Sequence, residues 1–361
     1  MSTRIRTIAF YLPQYHPVPD NDEWWGKGFT EWRNVAKAKP LFPGHYQPHL
    51  PADLGFYDLR LPEAREAQAE LAIRYGISGF CYYHYWFSGR RILERPVNDI
   101  VASGQPDFPF CLCWANENWT RTWDGRSGQV LLGQNYSAED DRQHVEALIP
   151  YFADRRYIRV DGRPLFLVYR TELMPNPQDT ADIWRKAAQQ AGLGDLFLVR
   201  VESFTQDVDP RSLGFDAAVE FAPDWKRTGQ MHFSRWQHLL SYLGLFPKGY
   251  FEHRFADYRK MVALMLAKPE PAYARYRCVT PGFDNSARRK KDATIFLNST
   301  PELYQDWLTK VASRELSNNR PADQKLVFIN AWNEWAEGNH LEPCQKWGHA
   351  YLQATRNALE A

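Results

Sequence analysis

The sequence predicts an α/β protein built as a single (β/α)8 barrel. Eight short apolar segments alternate with longer stretches, and several of those stretches have recognisable helix starts and ends. Several segments are apolar at nearly every position, which is typical of parallel strands buried on both faces. The 361 residues contain no linker or low-complexity tract, and one barrel with long loops can fill that length. We therefore expect one domain over residues 1–361.

The eight apolar segments are the candidate barrel strands. In chain order they are residues 7–12, 77–83, 109–114, 164–169, 196–201, 215–221, 276–280 and 326–331. Pro62 opens a helical segment that Gly76 ends just before the second strand, and residues 181–191 and 301–313 also precede strands. An open doubly wound sheet is the competing architecture. It usually carries a Gly-rich phosphate turn after the first strand, and residues 11–16 are not such a turn.

Two long insertions interrupt the barrel pattern, at residues 20–57 and 225–275. In a barrel such additions gather over the face formed by the carboxyl ends of the strands, where they would wall a cleft. The alternative is that they are surface packing without a role in binding. Because all eight strand ends meet at this face, we look for function there.

Composition and charge exclude several classes of partner. Lys plus Arg total 44 against 43 for Asp plus Glu, so the net charge of +1 provides no basic field for nucleic acid. No stretch approaches 18 uncharged apolar residues, so membrane insertion is not expected. The first residues lead straight into a strand, which predicts a cytoplasmic protein. The five cysteines include Cys111-x-Cys113, which lacks the two-residue gap of a zinc or redox motif. We therefore predict neither a metal nor a cofactor. The sequence leaves the oligomeric state open.

Aromatic and polar residues gather at the predicted strand ends. The chain contains 14 Trp, 19 Tyr and 21 Phe, more rings than a core alone needs. Carboxylates and amides interleaved with rings suit a sugar, because rings cover its C–H faces while polar groups bind its hydroxyls. On position and residue type alone, the candidate substrate-binding residues are Tyr11, His84, Trp86, Trp114, Asn116, Glu117 and Trp119.

The densest polar cluster, residues 333–338, directly follows the eighth strand. Glu334 and Glu337 are three residues apart, so they face the same side if the chain turns helically there. Glycosidic cleavage needs such a pair, one carboxylic acid for the leaving oxygen and one carboxylate as base or nucleophile. The alternative is that one glutamate caps a turn and the other is solvated. The Trp and Gly neighbours at a barrel strand end favour the catalytic interpretation.

Several motifs resemble a known group of enzymes. Residues 328–343 are similar to the Asn-Glu-Trp-x-Glu-Gly motif of glycoside hydrolase family 99, the endo-α-mannosidases and endo-α-mannanases. Residues 9–16, 21–32 and 114–119 resemble more closely the WbsX branch of that superfamily, which is often encoded with bacterial surface-polysaccharide biosynthesis. The likeness covers nearly the whole chain and implies the barrel fold.

The resemblance also implies a mechanism without metal and with net retention of configuration. Glu334 would take the proton of the sugar 2-hydroxyl, which attacks the anomeric carbon and forms a 1,2-anhydro sugar. Glu337 would protonate the leaving oxygen and later activate water, while Asn333 and Trp335 bind or orient around the pair. The chemistry selects manno- or rhamno-configured α-glycans as the oligosaccharide or polysaccharide substrate.

Two other functions remain open at the sequence level. A glycosyltransferase often holds a metal and diphosphate with an Asp-x-Asp pair, and the chain contains two, at residues 20–22 and 207–209. Both adjoin a proline and are better explained as turns. A transglycosidase in O-antigen or capsular polysaccharide synthesis, using the barrel glutamates, stays possible. The third hypothesis is a carbohydrate-binding or scaffold protein with a relict site.

Overall fold

The computed structural model describes residues 5–121, 126–231, 243–244, 247 and 249–361. Its eight central strands are β1 Arg6–Tyr11, β2 Gly79–Phe87, β3 Phe110–Trp114, β4 Arg163–Val168, β5 Phe197–Glu202, β6 Ala217–Glu220, β7 Arg275–Val279 and β8 Leu326–Ile329. All neighbouring pairs are parallel, and β1 pairs with both β2 and β8, so the sheet closes. The predicted (β/α)8 barrel is confirmed, and each predicted strand segment overlaps one observed strand.

The barrel strands are buried on both faces. Every residue of β3 and all but the first of β1 are buried. One set of alternating side chains fills the barrel interior, where Phe10 stacks on Tyr83 with 5.7 Å between ring centroids. The other set packs beneath the outer helices, where Tyr11 donates a hydrogen bond to Gln68. This double burial explains why the segments are apolar throughout rather than alternating.

Helices surround the barrel. Those described are α1 Pro19–Trp25, α2 Trp32–Lys37, α3 Pro62–Arg74, α4 Arg95–Ser103, α5 Ala138–Phe152, α6 Pro177–Gln190, α7 Gly249–Glu252, α8 Tyr258–Leu266, α9 Pro301–Ser317 and α10 Ala350–Glu360. Ser137 and Thr300 cap α5 and α9, each accepting a hydrogen bond from a backbone N–H of the first turn. Helix α6 begins at Pro177 rather than at residue 181, because Asn176 caps it and proline fits the first helical position.

Besides the eight central strands, the described residues include eight short strands and residues of the two insertions. The short strands are Arg90–Ile92, Trp119–Arg121, Arg126–Leu132, Arg159–Val160, Arg254–Asp257, Thr294–Leu297, Asn333–Glu334 and Asn339–His340. The first insertion packs at the carboxyl ends of the strands, where the rings of Trp32 and Trp335 lie 5.5 Å apart. In the second insertion, Arg254–Asp257 pairs in parallel with Thr294–Leu297, whereas residues 232–242, 245–246 and 248 lie outside the described residues. No helix in the described ranges is long and apolar enough to span a membrane.

Candidate active site

The two predicted glutamates lie in a tight turn just after β8. Asn333–Glu334 pairs antiparallel with Asn339–His340, and the 3-10 turn Trp335–Glu337 joins these short strands. Gly338 ends the turn in left-handed backbone, with φ of 55°. Glu334 and Glu337 therefore lie near each other at the carboxyl end of the barrel.

Gly338 has no room for a side chain. A Cβ there would lie 3.1 Å from Cβ of Asp284 and 3.3 Å from Cε1 of His49. We expect Gly338→Ala to lower the free energy of unfolding by about 1–2 kcal/mol and to reduce activity, because φ is positive and the neighbours must shift. Gly348→Ala is the matched control, since φ is also positive but nothing lies within 4 Å of the added Cβ. Equal losses of stability in denaturant titrations of the two variants would contradict the steric part of this prediction.

One arginine contacts both glutamates. The guanidinium of Arg288 donates to Oε2 of Glu334 at 2.8 Å and to Oε1 of Glu337 at 2.6 Å. Its Nε donates to Oε1 of a third carboxyl group, Glu31, at 3.1 Å. Arg288 directly follows the 3-10 turn Asn285–Ala287 in the segment after β7, and Glu31 belongs to the first insertion. Three segments that are distant in sequence thus meet at one cation.

Burial and these charges set the protonation of the site. Desolvation raises the pKa of Glu334 to about 8; the Arg288 cation opposes this shift, and Glu337 adds to it. Burial alone would lower the pKa of Arg288, but Glu31, Glu334 and Glu337 raise it well above its usual value. At neutral pH we therefore expect Glu334 to hold a proton while Arg288 stays charged.

A cavity of about 240 Å³ opens beside the glutamate pair. Both glutamates and Arg288 line it, so the arginine does not seal them from solvent. The rest of the wall is largely aromatic and polar, and it includes Tyr83, Tyr85, Glu117, Trp119, Tyr169 and Trp225. Rings and carboxyl groups around one concave space are the combination that binds sugars.

A second and larger cavity, of about 590 Å³, continues from the first. The two share a wall made of Glu117, Asn118, Tyr169, Trp225 and Glu337. We call the first the catalytic lobe and the second the outer lobe. The outer lobe alone has a volume typical of small-molecule sites, about 300–1,000 Å³.

Comparison with known sequences identifies the family of this chain. The sequence profile of the family described as "Glycosyltransferase WbsX" matches residues 7–355. The chain belongs to this family. WxcX of Xanthomonas campestris pv. campestris is 47% identical over 352 residues, which are 98% of this WbsX-family chain and 49% of WxcX. The chain spans about half the length of the curated relatives it matches.

Two solved structures with the same fold are a glycoside hydrolase and a glycoside hydrolase-like protein. The family 99 endo-α-mannosidase of Bacteroides thetaiotaomicron has a TM-score of 0.58 at 14% identity, over 98% of this WbsX-family chain and 96% of that protein. A glycoside hydrolase-like protein has a TM-score of 0.60 at 14% identity, over 99% and 94% of the two chains. At this identity the likeness shows a shared fold, which confirms the family 99 resemblance at the level of architecture.

Two of the predicted sugar-binding residues line the cavities of this WbsX-family protein. Trp119 lies in the wall of the catalytic lobe, with its ring 5.2 Å from that of Tyr85. Glu117 lines both lobes and forms an ion pair with Arg170. Burial raises the pKa of Glu117, against the opposing effect of the Arg170 charge. Both side chains therefore lie in the cavity walls.

Four other predicted residues face away from the cavities, and their assignment is corrected. Tyr11 lies beneath α3 with its hydroxyl on Gln68, because adjacent residues of a strand point to opposite faces. The remaining three surround a buried histidine of α5, and burial lowers the pKa of one of them, His84, to about 3. His84 forms a hydrogen bond with His144 of α5, and Trp86 donates one to Asp140. The ring of Trp114 lies 4.6 Å from that of His144.

Three predicted residues are fully buried and hydrogen-bond to the segments next to the site. Asn116 hydrogen-bonds the backbone N–H and C=O of Arg170. Asn333 bonds the backbone of Leu12 at the end of β1 through both its amide atoms. Trp335 donates to Glu342 at 2.6 Å and stacks on His340. They position the loops that carry Glu117, Glu334 and Glu337, and they do not line either lobe.

Sequence reasoning missed Arg288, Glu31, Tyr83 and Trp225. Arg288 opens the run Arg-Arg-Lys-Lys, which looks like a solvated surface segment. Tyr83 and Tyr85 alternate with His84 and Trp86 along β2, so their side chains point to the opposite face of the strand. Choosing that face as the one toward the cavity would have identified them. Over the described residues, no group of three or more His, Cys, Asp or Glu could hold a metal ion.

Proposed function

We propose that this protein is a retaining glycoside hydrolase that cleaves α-glycans of manno or rhamno configuration through the sugar 2-hydroxyl, with a bacterial surface polysaccharide as the natural substrate. The observation that carries the proposal is the pair Glu334 and Glu337, held by Arg288 in the wall of an aromatic cavity at the carboxyl end of the barrel. General acid–base cleavage needs two carboxyl groups close to one sugar ring.

Substrate binding would prepare the pair for the reaction. In the free protein, burial favours the proton on Glu334. A 2-hydroxyl that donates a hydrogen bond to Glu334 favours its carboxylate form. Binding would thereby move the shared proton from Glu334 to Glu337.

The bond changes then follow from these protonation states. Glu334 takes the 2-hydroxyl proton, and O2 attacks C1 while Glu337 gives its proton to the departing glycosidic oxygen. The C1–O bond breaks and a 1,2-anhydro sugar forms. Water next attacks C1 and the C1–O2 bond of the anhydro sugar breaks, while Glu337 takes a proton from the water and Glu334 returns its proton to O2. Two inversions at C1 give net retention.

The pH dependence should report the shared proton. Because the pKa of Glu334 is raised to about 8, the pair holds its proton below that pH and loses it above. We expect kcat/KM to fall on the alkaline side with an apparent pKa of about 8, as a property of the pair rather than of one residue. A profile that stays level up to pH 9.5 would contradict this assignment.

The decisive experiment tests hydrolysis directly. The 361-residue chain is incubated with manno- and rhamno-configured α-oligosaccharides, and the anomeric configuration of the first product is followed by NMR. We expect the α anomer to appear first. Initial release of the β anomer would refute the two-step mechanism, and absence of hydrolysis in a set that covers the common linkages would refute the hydrolase.

Sugar transfer is the second candidate, since the family description names a glycosyltransferase. The Asp-x-Asp tripeptides do not support a diphosphate site. Asp20 pairs with Arg90, Asp22 accepts from the backbone N–H of Gly28, and Asp209 pairs with Arg211. Transfer would instead use the glutamate pair with an acceptor hydroxyl in place of water. Metal-dependent consumption of a nucleotide sugar in the same NMR assay would favour a transferase over the hydrolase.

A further inference from the structure

We propose that the outer lobe binds an anionic group of the glycan through Arg254 and Arg289. The proposal rests on the proposed function, because it assumes that the cleft holds a carbohydrate, and it adds the substrate class: a glycan that carries a negative charge close to the cleaved bond.

The outer lobe lies where the neighbour of the reacting sugar would sit. Its shared wall with the catalytic lobe contains Glu337, the proposed acid for the leaving oxygen. A sugar that reacts at Glu334 and Glu337 in the catalytic lobe can therefore extend its chain into the outer lobe. Groups that line the outer lobe act on residues beyond the cleaved bond.

Arg254 and Arg289 differ from the arginines of the catalytic side in having no side-chain partner among the described residues. Neither Arg254 nor Arg289 forms an ion pair or a side-chain hydrogen bond with any described residue, although both line the cavity. The arginines of the catalytic side differ, because Arg170 pairs with Glu117 and Glu172 and Arg288 contacts three carboxyl groups. Guanidinium groups left unpaired in a cleft are suited to a ligand carboxylate or phosphate.

The backbone places both arginines firmly. Arg254 starts a strand whose first residue is in register with Thr294, and its N–H donates to the carbonyl of Ala293. The N–H of Arg289 donates to the carbonyl of Asn285. The side chains are exposed, but Arg254 lies in a short strand and Arg289 lies two residues after the 3-10 turn Asn285–Ala287.

The acids and the arginines of the outer-lobe lining differ in their pairing. Of the three acids in the described lining, Glu117 pairs with Arg170 and Glu337 with Arg288, whereas Asp292 has no cationic partner within ion-pair distance. Lys290 and Lys291 follow Arg289 on the same segment and are exposed. Residues 289–291 are thus three consecutive cations that begin at the wall of the lobe, and such a local cluster attracts negatively charged ligands.

The rest of the lining fits a sugar rather than a peptide or a lipid. Thr228, Gln230 and Asn285 offer hydrogen-bonding groups for hydroxyls. Trp225 contributes a ring, and its indole N–H is buried without a partner among the described residues. Together with the free arginines, these groups fit an acidic sugar residue or a phosphorylated one, which share an oxyanion recognised by guanidinium.

The test measures binding in the Glu337→Gln background, so that it does not depend on turnover. The probes are three trimannosides of one linkage: neutral, oxidised to the carboxylate at C6 of one terminal sugar, and phosphorylated at that C6. We expect one anionic probe to bind about tenfold tighter than the neutral one in calorimetry, with the advantage reduced by salt. The better of the two anionic probes identifies the source of the charge.

Matched variants assign the effect to the lobe. Arg254→Gln with Arg289→Gln should abolish the advantage of the anionic probe and leave affinity for the neutral probe unchanged. Arg74→Gln with Lys186→Gln removes the same charge from exposed positions of α3 and α6 and should preserve the advantage. Equal affinity for all three probes, or an advantage that survives loss of both cleft arginines, would overturn the inference. Failure of hydrolysis alone, with arginine-dependent binding intact, would refute the proposed hydrolase and not this site.

Discussion

Glu337→Gln is expected to lower kcat on an unactivated α-mannoside by about 10²–10⁴-fold, because the variant cannot protonate the leaving oxygen. Glutamine keeps an oxygen that can accept from Arg288, so the free energy of unfolding should change little. Glu334→Gln should lose as much activity, since no base then takes the 2-hydroxyl proton. Steady-state kinetics with denaturant titrations measure both effects.

Leaving-group chemistry separates the roles of the two glutamates. The nitrophenolate group of a nitrophenyl glycoside leaves without being protonated. Such a substrate should therefore restore the rate of the first step in Glu337→Gln and not in Glu334→Gln. Glu172→Gln is the control, because this acid pairs with Arg170 and lies outside both lobes. Normal turnover of an unactivated substrate by both Glu334→Gln and Glu337→Gln would remove the mechanism.

Loss of Arg288 should have the second large effect. Arg288→Met leaves Glu31, Glu334 and Glu337 around a space without a cation. We expect the free energy of unfolding to fall by about 3–5 kcal/mol, as for other buried ion pairs that lose one partner. Because Arg288 lowers the pKa of Glu334, its removal should also move the alkaline limb of kcat/KM to higher pH.

Two companion variants test whether Arg288 acts through charge. Arg288→Lys keeps the cation and should recover part of the stability, although it cannot reach all three carboxyl groups with one planar fork. Adding Glu31→Gln to Arg288→Met removes one of the crowded acids and should also recover stability. If neither change helps, or if the alkaline limb stays where it is, Arg288 has only a packing role.

Much of the architecture is predictable because its signals are local. A strand buried on both faces needs apolar residues throughout, and this requirement is visible in each of the eight segments. The glutamate pair is also a local signal, since Glu334 and Glu337 lie within one turn beside a glycine whose left-handed backbone ends it. Local chemistry was therefore enough to propose both the barrel and the acidic pair.

Burial on both faces also meant that the sequence could not predict which side chains of β2 point into the barrel. When both faces of a strand are buried, no alternation of polar and apolar residues shows which side chains enter the barrel. His84 and Trp86 were chosen by residue type, but Tyr83 and Tyr85 line the catalytic lobe. Packing against α5, rather than sugar binding, accounts for the two rejected residues.

The sequence alone determined the closed barrel, the turn that carries Glu334 and Glu337, and the abundance of rings at the strand ends. Only the tertiary structure decided which rings reach the cavity and which charges surround the pair. Arg288 and Glu31 reach Glu334 from loops that are far apart along the chain. The raised pKa of Glu334 follows from burial, which depends on every segment packed around it. Contacts between distant segments leave no pattern in neighbouring residues, so folding had to bring this site together before its chemistry could be inferred.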